Sequence, residues 1–280
     1  MPRPNPRDPD TDLGAALGET LRDLRIDAGY RTQEDFARAS GYAREGISRV
    51  ETGDTLPGTT MFTDWLDACQ ATPRERKLLA RQLTIARKVR GPIPQFIQKW
   101  FANEAKASFL RLWGLLFMPG QLQTREYAHA MFLAGGADEE EAIEKADIRT
   151  GRQAIFDGPD PAHVTAVIHE RALYFQVGPP EVMASQLEHL IELSKRPNVV
   201  LQVVRDTGYF PGIRGPFEVA TGEAIPDTLL MLAIEDQTME DTALTRKAAA
   251  LFEEIRGYAL SVADSRAVIL EAIQRWSQQQ

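Results

Sequence analysis

Apolar residues recur at helical spacing through the first third of the chain. Leu13, Leu17, Leu21, Leu24 and Ala28 mark one face of a first helix, which Gly29 ends. A short second helix follows, with Thr32 as its N-cap, Gln33 and Glu34 in its first turn, and Phe36 and Ala37 facing inward. Ser40-Gly41-Tyr42 breaks it, Gly41 supplying the permissive backbone of a C-cap. A third helix over about 44–52 closes at Gly53. Its inward positions are Ile47 and Val50, at i and i+3, and its outward positions are Arg44, Glu45, Ser48 and Arg49. Beyond a loop through Leu56-Pro57, a fourth helix over about 59–71 buries Met61, Phe62, Trp65 and Leu66, with Cys69. Thr72, Pro73 and Glu75 open a fifth helix with a capping box and a proline at its first position. That helix carries Leu78, Leu79, Leu83 and Ile85. It also carries Arg74, Arg76, Lys77, Arg81, Arg87 and Lys88, a basic set that suits either DNA phosphates or solvent.

Gly91-Pro92-Ile93-Pro94 punctuates the chain, and 91–95 reads as a linker. Two helical segments are expected beyond it, 96–116 and 124–133, separated by a turn at 118–123. Their aromatics (Phe96, Trp100, Phe101, Phe109, Trp113, Tyr127 and Phe132) read first as core at helical spacing, with a ligand pocket as the alternative. A further helix over 138–156 begins acidic, as its dipole favours. The period then shortens. Residues 163–170 and 198–205 are strand-like and flank an amphipathic helix over 181–194, which makes a parallel pair with a right-handed crossover. Strands at 217–220 and 228–234 form a hairpin, and helices over about 239–258 and 261–274 end the chain. The fold class is mainly α: a five-helix domain over 13–90, then a C-terminal α/β domain over 96–280 with a small sheet.

The second and third helices, tightly joined and crossing at a small residue (Ala37), have the design of a helix-turn-helix, whose second helix enters the DNA major groove. Length and composition allow this: 280 residues make about two domains with real cores, and 43% apolar with 26% charged is an ordinary globular profile. A net charge of −8 argues against a nucleic-acid binder until it is divided. Residues 1–90 hold 15 Lys and Arg against 14 Asp and Glu, and residues 91–280 hold 17 against 26. The acidic excess therefore lies outside the candidate DNA-binding part, where near-neutrality still permits a cationic face.

Residues 1–12, rich in Pro, Asp and Arg, read as a disordered arm; contact of Arg3 and Arg7 with a phosphate or minor groove is the alternative. They carry no signal-peptide core, Cys69 has no cysteine to pair with, and the apolar run 107–118 contains Arg111 and is too short to span a bilayer. A cytoplasmic protein with no membrane association is expected. Chemistry is sparse. His129, His163, His169 and His189 have no zinc-protease spacing, one cysteine makes no zinc ribbon, and no phosphate-binding loop, dinucleotide fingerprint or nucleophile elbow occurs. No enzyme activity, metal or cofactor is expected. The glycine-rich loop 208–215 follows a strand end, where α/β folds place ligands, but reads first as a plain strand connection.

Thr32-Gln33-Glu34-Asp35-Phe36-Ala37, Gly41, and Ile47-Ser48-Arg49-Val50-Glu51-Thr52-Gly53 together resemble the phage-repressor-like (Xre-type) helix-turn-helix domain over 13–71. Pro119 to Ala128, His169-Glu170-Arg171-Ala172-Leu173, Gln186-Leu187 and Arg196-Pro197-Asn198-Val199 are similar to the C-terminal domain of actinobacterial WhiJ-like or Scr-type antitoxin-like regulators. The resemblance implies a homodimeric transcriptional regulator, often encoded beside a small partner protein, with an effector it does not specify. It also puts Arg44, Glu45 and Arg49 at base edges, where Arg reads guanine and Glu accepts from cytosine. Ser48 is left for a phosphate or thymine methyl, and Thr32 and Gln33 fall at the phosphates beside the start of the second helix. Binding a partner protein, with autoregulation secondary, is the competing role. Four departures stand out: a turn at Gly29–Gln33 one residue longer than usual, Ala43 at the N-cap of the third helix, Gly46 inside it, and Gln121 where the family usually has Leu.

Overall fold

A computed structural model describes residues 9, 12–88, 95–157, 160–232 and 237–279. The expected linker, apart from Gln95, and the N-terminal arm with Arg3 and Arg7, apart from Pro9 and Asp12, lie outside them.

Five helices form the N-terminal part: α1 (Leu13–Asp27), α2 (Gln33–Ser40), α3 (Arg44–Glu51), α4 (Thr59–Ala68) and α5 (Pro73–Lys88). Local signals set their ends. Asp12 caps α1 by accepting from the Ala15 N–H, Thr32 caps α2 by accepting from Asp35, and Thr72 and Glu75 exchange bonds as a capping box. Leu17, Leu21, Phe36, Ile47, Val50, Trp65, Leu79 and Leu83 make one core. The close approach within it lies at Gly18, where a Cβ would meet the carbonyl oxygens of Val50 and Glu51 at 2.4 and 2.7 Å. Ala37, expected at the tight crossing, is only half-buried. Cys69 is buried, which pushes its thiol up to about 11 and leaves it protonated and unreactive.

The C-terminal part is built on a six-stranded sheet of order β3-β2-β1-β4-β5-β6. Its strands are β1 (Phe109–Gly114), β2 (His163–His169), β3 (Val199–Val204), β4 (Phe217–Thr221), β5 (Thr228–Met231) and β6 (Gln237–Met239). β1, β2 and β3 run parallel, and β4, β5 and β6 continue antiparallel. The expected crossover is present, with α10 (Pro180–Leu193) between β2 and β3, and so is the β4–β5 hairpin. The hairpin's second strand was expected to reach 234, but β5 ends at Met231, and 233–234 fall outside the described residues. The remaining helices are α6 (Gln95–Glu104), α7 (Arg125–Ala134), α8 (Glu139–Gly151), α9 (Glu170–Tyr174), α11 (Thr242–Gly257) and α12 (Val262–Ser277). A 3-10 turn at Arg152–Phe156 completes the helix expected over 138–156.

Two expected helices are corrected: the one read from about 239 starts only at Thr242, because Gln237–Met239 pairs with β5 as β6, and a second gives way to a strand. The helix read over 96–116 ends at Glu104, and Phe109–Gly114 is the central strand β1, paired with β2 and β4. Pairing on both edges decides the conformation there, because Phe109, Leu110, Leu112 and Trp113 satisfy either a helical or an alternating pattern. Leu110 and Leu112 join the core under α10 and α12, whereas Trp113 faces α11 with Val167, Val219 and Phe252. The sheet is therefore the middle of three layers.

Loop 208–215 is a packed connection. Phe210 is buried and stacks on His169 at 5.4 Å, and the Trp113 indole N–H donates to the Gly212 carbonyl at 3.0 Å.

α5 belongs to both cores, with Leu79 and Leu83 in the first and Ile85 in the second. Between them Arg81 is buried and donates to the carbonyls of Ala105, Ala107 and Asp160, at 3.3, 2.6 and 2.9 Å. Other α5 cations are also engaged within the chain: Arg74 with Glu223, Arg76 with Asp67, and Arg87 with the Pro57 carbonyl. The basic set read along this helix is thus partly internal bracing, and Arg81 is not at the surface at all.

Candidate nucleic-acid interface

The turn between α2 and α3 is fixed at both ends. Gly41 adopts φ +77°, the left-handed conformation that only glycine takes freely, and its N–H reaches the Ala37 carbonyl at 3.0 Å. Tyr42 then donates its hydroxyl to Asp64 at 2.6 Å, tying the turn to α4, and this bond raises the Tyr42 phenol pKa. At the start of α2 the Thr32 hydroxyl, followed by the Arg38 guanidinium, holds the Asp35 carboxyl below its ordinary value, so the first turn keeps the negative charge its dipole favours.

α3 turns Ile47 and Val50 into the core and leaves Arg44, Glu45 and Arg49 exposed, with Ser48 half-buried. Arg49 and Glu45 form no ion pair among the described residues. Arg44 pairs with Glu34 of α2 at 2.6 Å in an exposed bridge, worth little on its own and readily exchanged for another partner.

Behind α3 lies a buried charge cluster. Arg25 of α1 meets Glu51 through Nε–Oε1 at 2.6 Å and Nη2–Oε2 at 3.2 Å, both side chains 3% exposed. Gln33 of α2 donates its amide to the same carboxylate at 2.8 Å. One carboxylate thus joins three helices and sets the angle at which α3 is presented. Gln33 is therefore brought to the site with its amide already turned toward Glu51. Beside it, Arg22, Arg31 and Thr52 line a depression of about 320 Å³ that also exposes parts of Arg25, Gln33 and Glu51. Arg22 and Arg31 were not singled out by the sequence pattern. Arg25 left a trace there, since it follows Leu17 and Leu21 at the same four-residue interval and so falls on the apolar stripe.

Ala43 caps α3 with no side-chain bond, and Gly46 sits inside the helix with open space where a Cβ would be. Gly46→Ala is expected to stabilise the protein by roughly 0.5–1 kcal/mol by restricting the unfolded chain. Thermal unfolding checks this, and an unchanged or lower midpoint refutes it.

An exposed second helix held from behind by a buried tether is the arrangement of a helix-turn-helix, and residues 16–79 match a helix-turn-helix domain family. Residues 97–271 match the family described as a domain of unknown function, DUF5753, and the chain belongs to that family. No curated protein and no solved structure matches it. Among the described residues, no helix is long and apolar enough to cross a membrane.

Proposed function

We propose that this chain is a cytoplasmic, homodimeric, sequence-specific transcriptional regulator of the Xre type that acts by binding rather than catalysis. α3 enters the major groove with Arg44, Glu45 and Arg49 on base edges. Thr32, Gln33 and Ser48 lie on the flanking backbone, where the depression lined by Arg22 and Arg31 adds cationic reach. The observation that carries this reading is the exposed face of α3 held from behind by Glu51, Arg25 and Gln33. A single unit reads only a half-site, so two copies are needed with recognition helices about 34 Å apart. The C-terminal domain, with its acidic excess, suits pairing better than DNA contact.

The test is a gel shift on the promoter of its own gene, with random DNA as reference. Arg49→Ala should cost about 1–3 kcal/mol on the operator and relax base preference. Equal loss on operator and random DNA reduces Arg49 to a phosphate contact. A second reading keeps the actinobacterial WhiJ-like or Scr-type antitoxin-like affiliation and makes binding of a small partner protein the main task. The acidic excess of residues 91–280 and the exposed Phe117 and Phe175, edge to face at 5.1 Å, favour it. Co-purification with the product of a neighbouring gene separates the two.

A further inference from the structure

Glu218 is a carboxylic acid in the middle of a sheet. It is 2% exposed and stands between Leu112 of β1 and Leu230 of β5 in the register, on the face whose core includes α10 and α12. A carboxyl so placed costs stability unless its oxygens are bonded. Gln121 donates its amide to one of them at 2.5 Å, and the other has no partner among the described residues. Glu218 lines a cavity of about 450 Å³ bounded by the end of β1, the turn at 117–120, the start of β4 and the end of β5. That volume suits a small organic molecule.

Ile97, Met118 and Leu230 of its wall belong to the core on this face, and Met131 and Leu232 pack against that core. Arg149 and Arg152 also open into the cavity, but both have partners within the chain. Arg152 is matched by Glu104 through two bonds of 2.6 and 2.7 Å. Arg149 bonds Gln123 at 2.9 Å and lies on the Phe132 ring, 4.5 Å from its guanidinium carbon. An ion entering here would give up its water for a wall whose cations are already engaged, and that is costly. A neutral ligand avoids the cost. Burial pushes the Glu218 carboxyl up to about 7; Arg152 favours its ionisation, Glu104 opposes it, and Gln121 and Arg149 favour it. These groups face Glu218 from α6, α8 and the turns at 120–122 and 152–156. Because Gln121 donates to one oxygen, the proton of the acid form sits on the other, which then donates into the cavity.

We propose that this cavity binds a small, uncharged, mainly apolar molecule, its body among Ile97, Met118, Met131, Leu230 and Leu232 and one hydrogen-bonding oxygen at the open oxygen of Glu218. A carbonyl and a hydroxyl share this chemistry, and both are tested. The site stands independently of DNA binding, and its test uses the full chain without DNA.

Titration calorimetry with octan-2-one, octan-1-ol, octanoate and octylammonium is the experiment. The four share one chain length and differ in the head group. At about pH 6 one or both neutral probes should bind saturably at one site per chain, at least about tenfold tighter than either ion, since a buried ion without a free partner is penalised by more than that. The pH profile identifies the head group. The ketone can only accept, so its affinity should fall several-fold from about pH 6 to about pH 8 as Glu218 loses its proton. The alcohol can accept from the acid and donate to the carboxylate, so its affinity should hold. Glu218→Gln, whose amide donates at either pH, should make binding of the ketone independent of pH. Leu232→Trp and Met131→Trp, each filling the cavity from a half-buried position, should abolish binding while circular dichroism and the thermal midpoint show a folded chain. Preference for octanoate overturns the proposal and assigns the site to anions, and preference for octylammonium assigns it to cations through Glu218. Equal binding of all four probes, binding that survives both tryptophan variants, or no saturable heat with either neutral probe also overturns it.

Discussion

Replacing Glu51 by Ala is expected to destabilise the protein by about 3–5 kcal/mol, the cost of leaving one member of a buried ion pair unmatched. Arg25 is 3% exposed, and without Glu51 its guanidinium keeps only the Tyr30 carbonyl among the acceptors described for it. Gln33 loses its acceptor in the same change. Urea unfolding followed by circular dichroism reads the loss as a lower midpoint at unchanged slope. Replacing both charges, Arg25→Met with Glu51→Leu, should restore most of the stability, because the expense lies in the orphaned cation rather than in the missing bond. The double variant should nevertheless bind operator less well than the parent, since α1, α2 and α3 then keep their apolar core but lose the carboxylate that joins them. A loss below about 1 kcal/mol for Glu51→Ala would mean that water reaches Arg25.

Arg152→Met is expected to have a comparable effect, and a pH-dependent one. It removes the cation from between Glu104 and Glu218, leaving two buried carboxyls joined through the Gln121 amide. About 3–5 kcal/mol should be lost at about pH 8, and less at about pH 5, where the carboxyls take up protons. The parent shows the same sign in milder form. Its Glu218 pKa lies near 7 in the folded state, above the ordinary 4.5. The stability this group contributes is therefore complete below about pH 4.5 and is lost as pH rises through about 7, a change of about 3 kcal/mol. Glu218→Gln has no proton to lose and should not show this decline. Parallel denaturation curves of the parent and Glu218→Gln across that window would place the proton elsewhere.

The helix-turn-helix was legible because its boundaries are local. Thr32, Gly41 and Gly53 act within a few residues of where they stand, and Phe36, Ile47 and Val50 keep a single period. The β2–α10–β3 crossover was legible for the same reason. β1 was not, because its conformation is decided by partners at 163–168 and 217–221. The buried charges were hidden for a related reason. Glu104 meets Arg152 across 48 positions and Arg25 meets Glu51 across 26, and of the four only Arg25 betrays its burial in the sequence, by its place on an apolar stripe. Gln121 is a case in between. It stood out as polar where the resembling family has Leu, but its task, one amide shared by two carboxylates, is visible only once Glu218 lies beside Glu104.

α5 has a mechanical consequence. A helix with one end in each core, bolted midway by Arg81 to three carbonyls of the second, is a shaft without a joint. The reading head cannot swivel on it to suit the DNA. In the proposed dimer, the distance and phase between the two recognition helices are then set by how the sheet domains meet. Such a protein accepts one half-site spacing, and inserting a few base pairs between half-sites should abolish binding rather than stretch the complex.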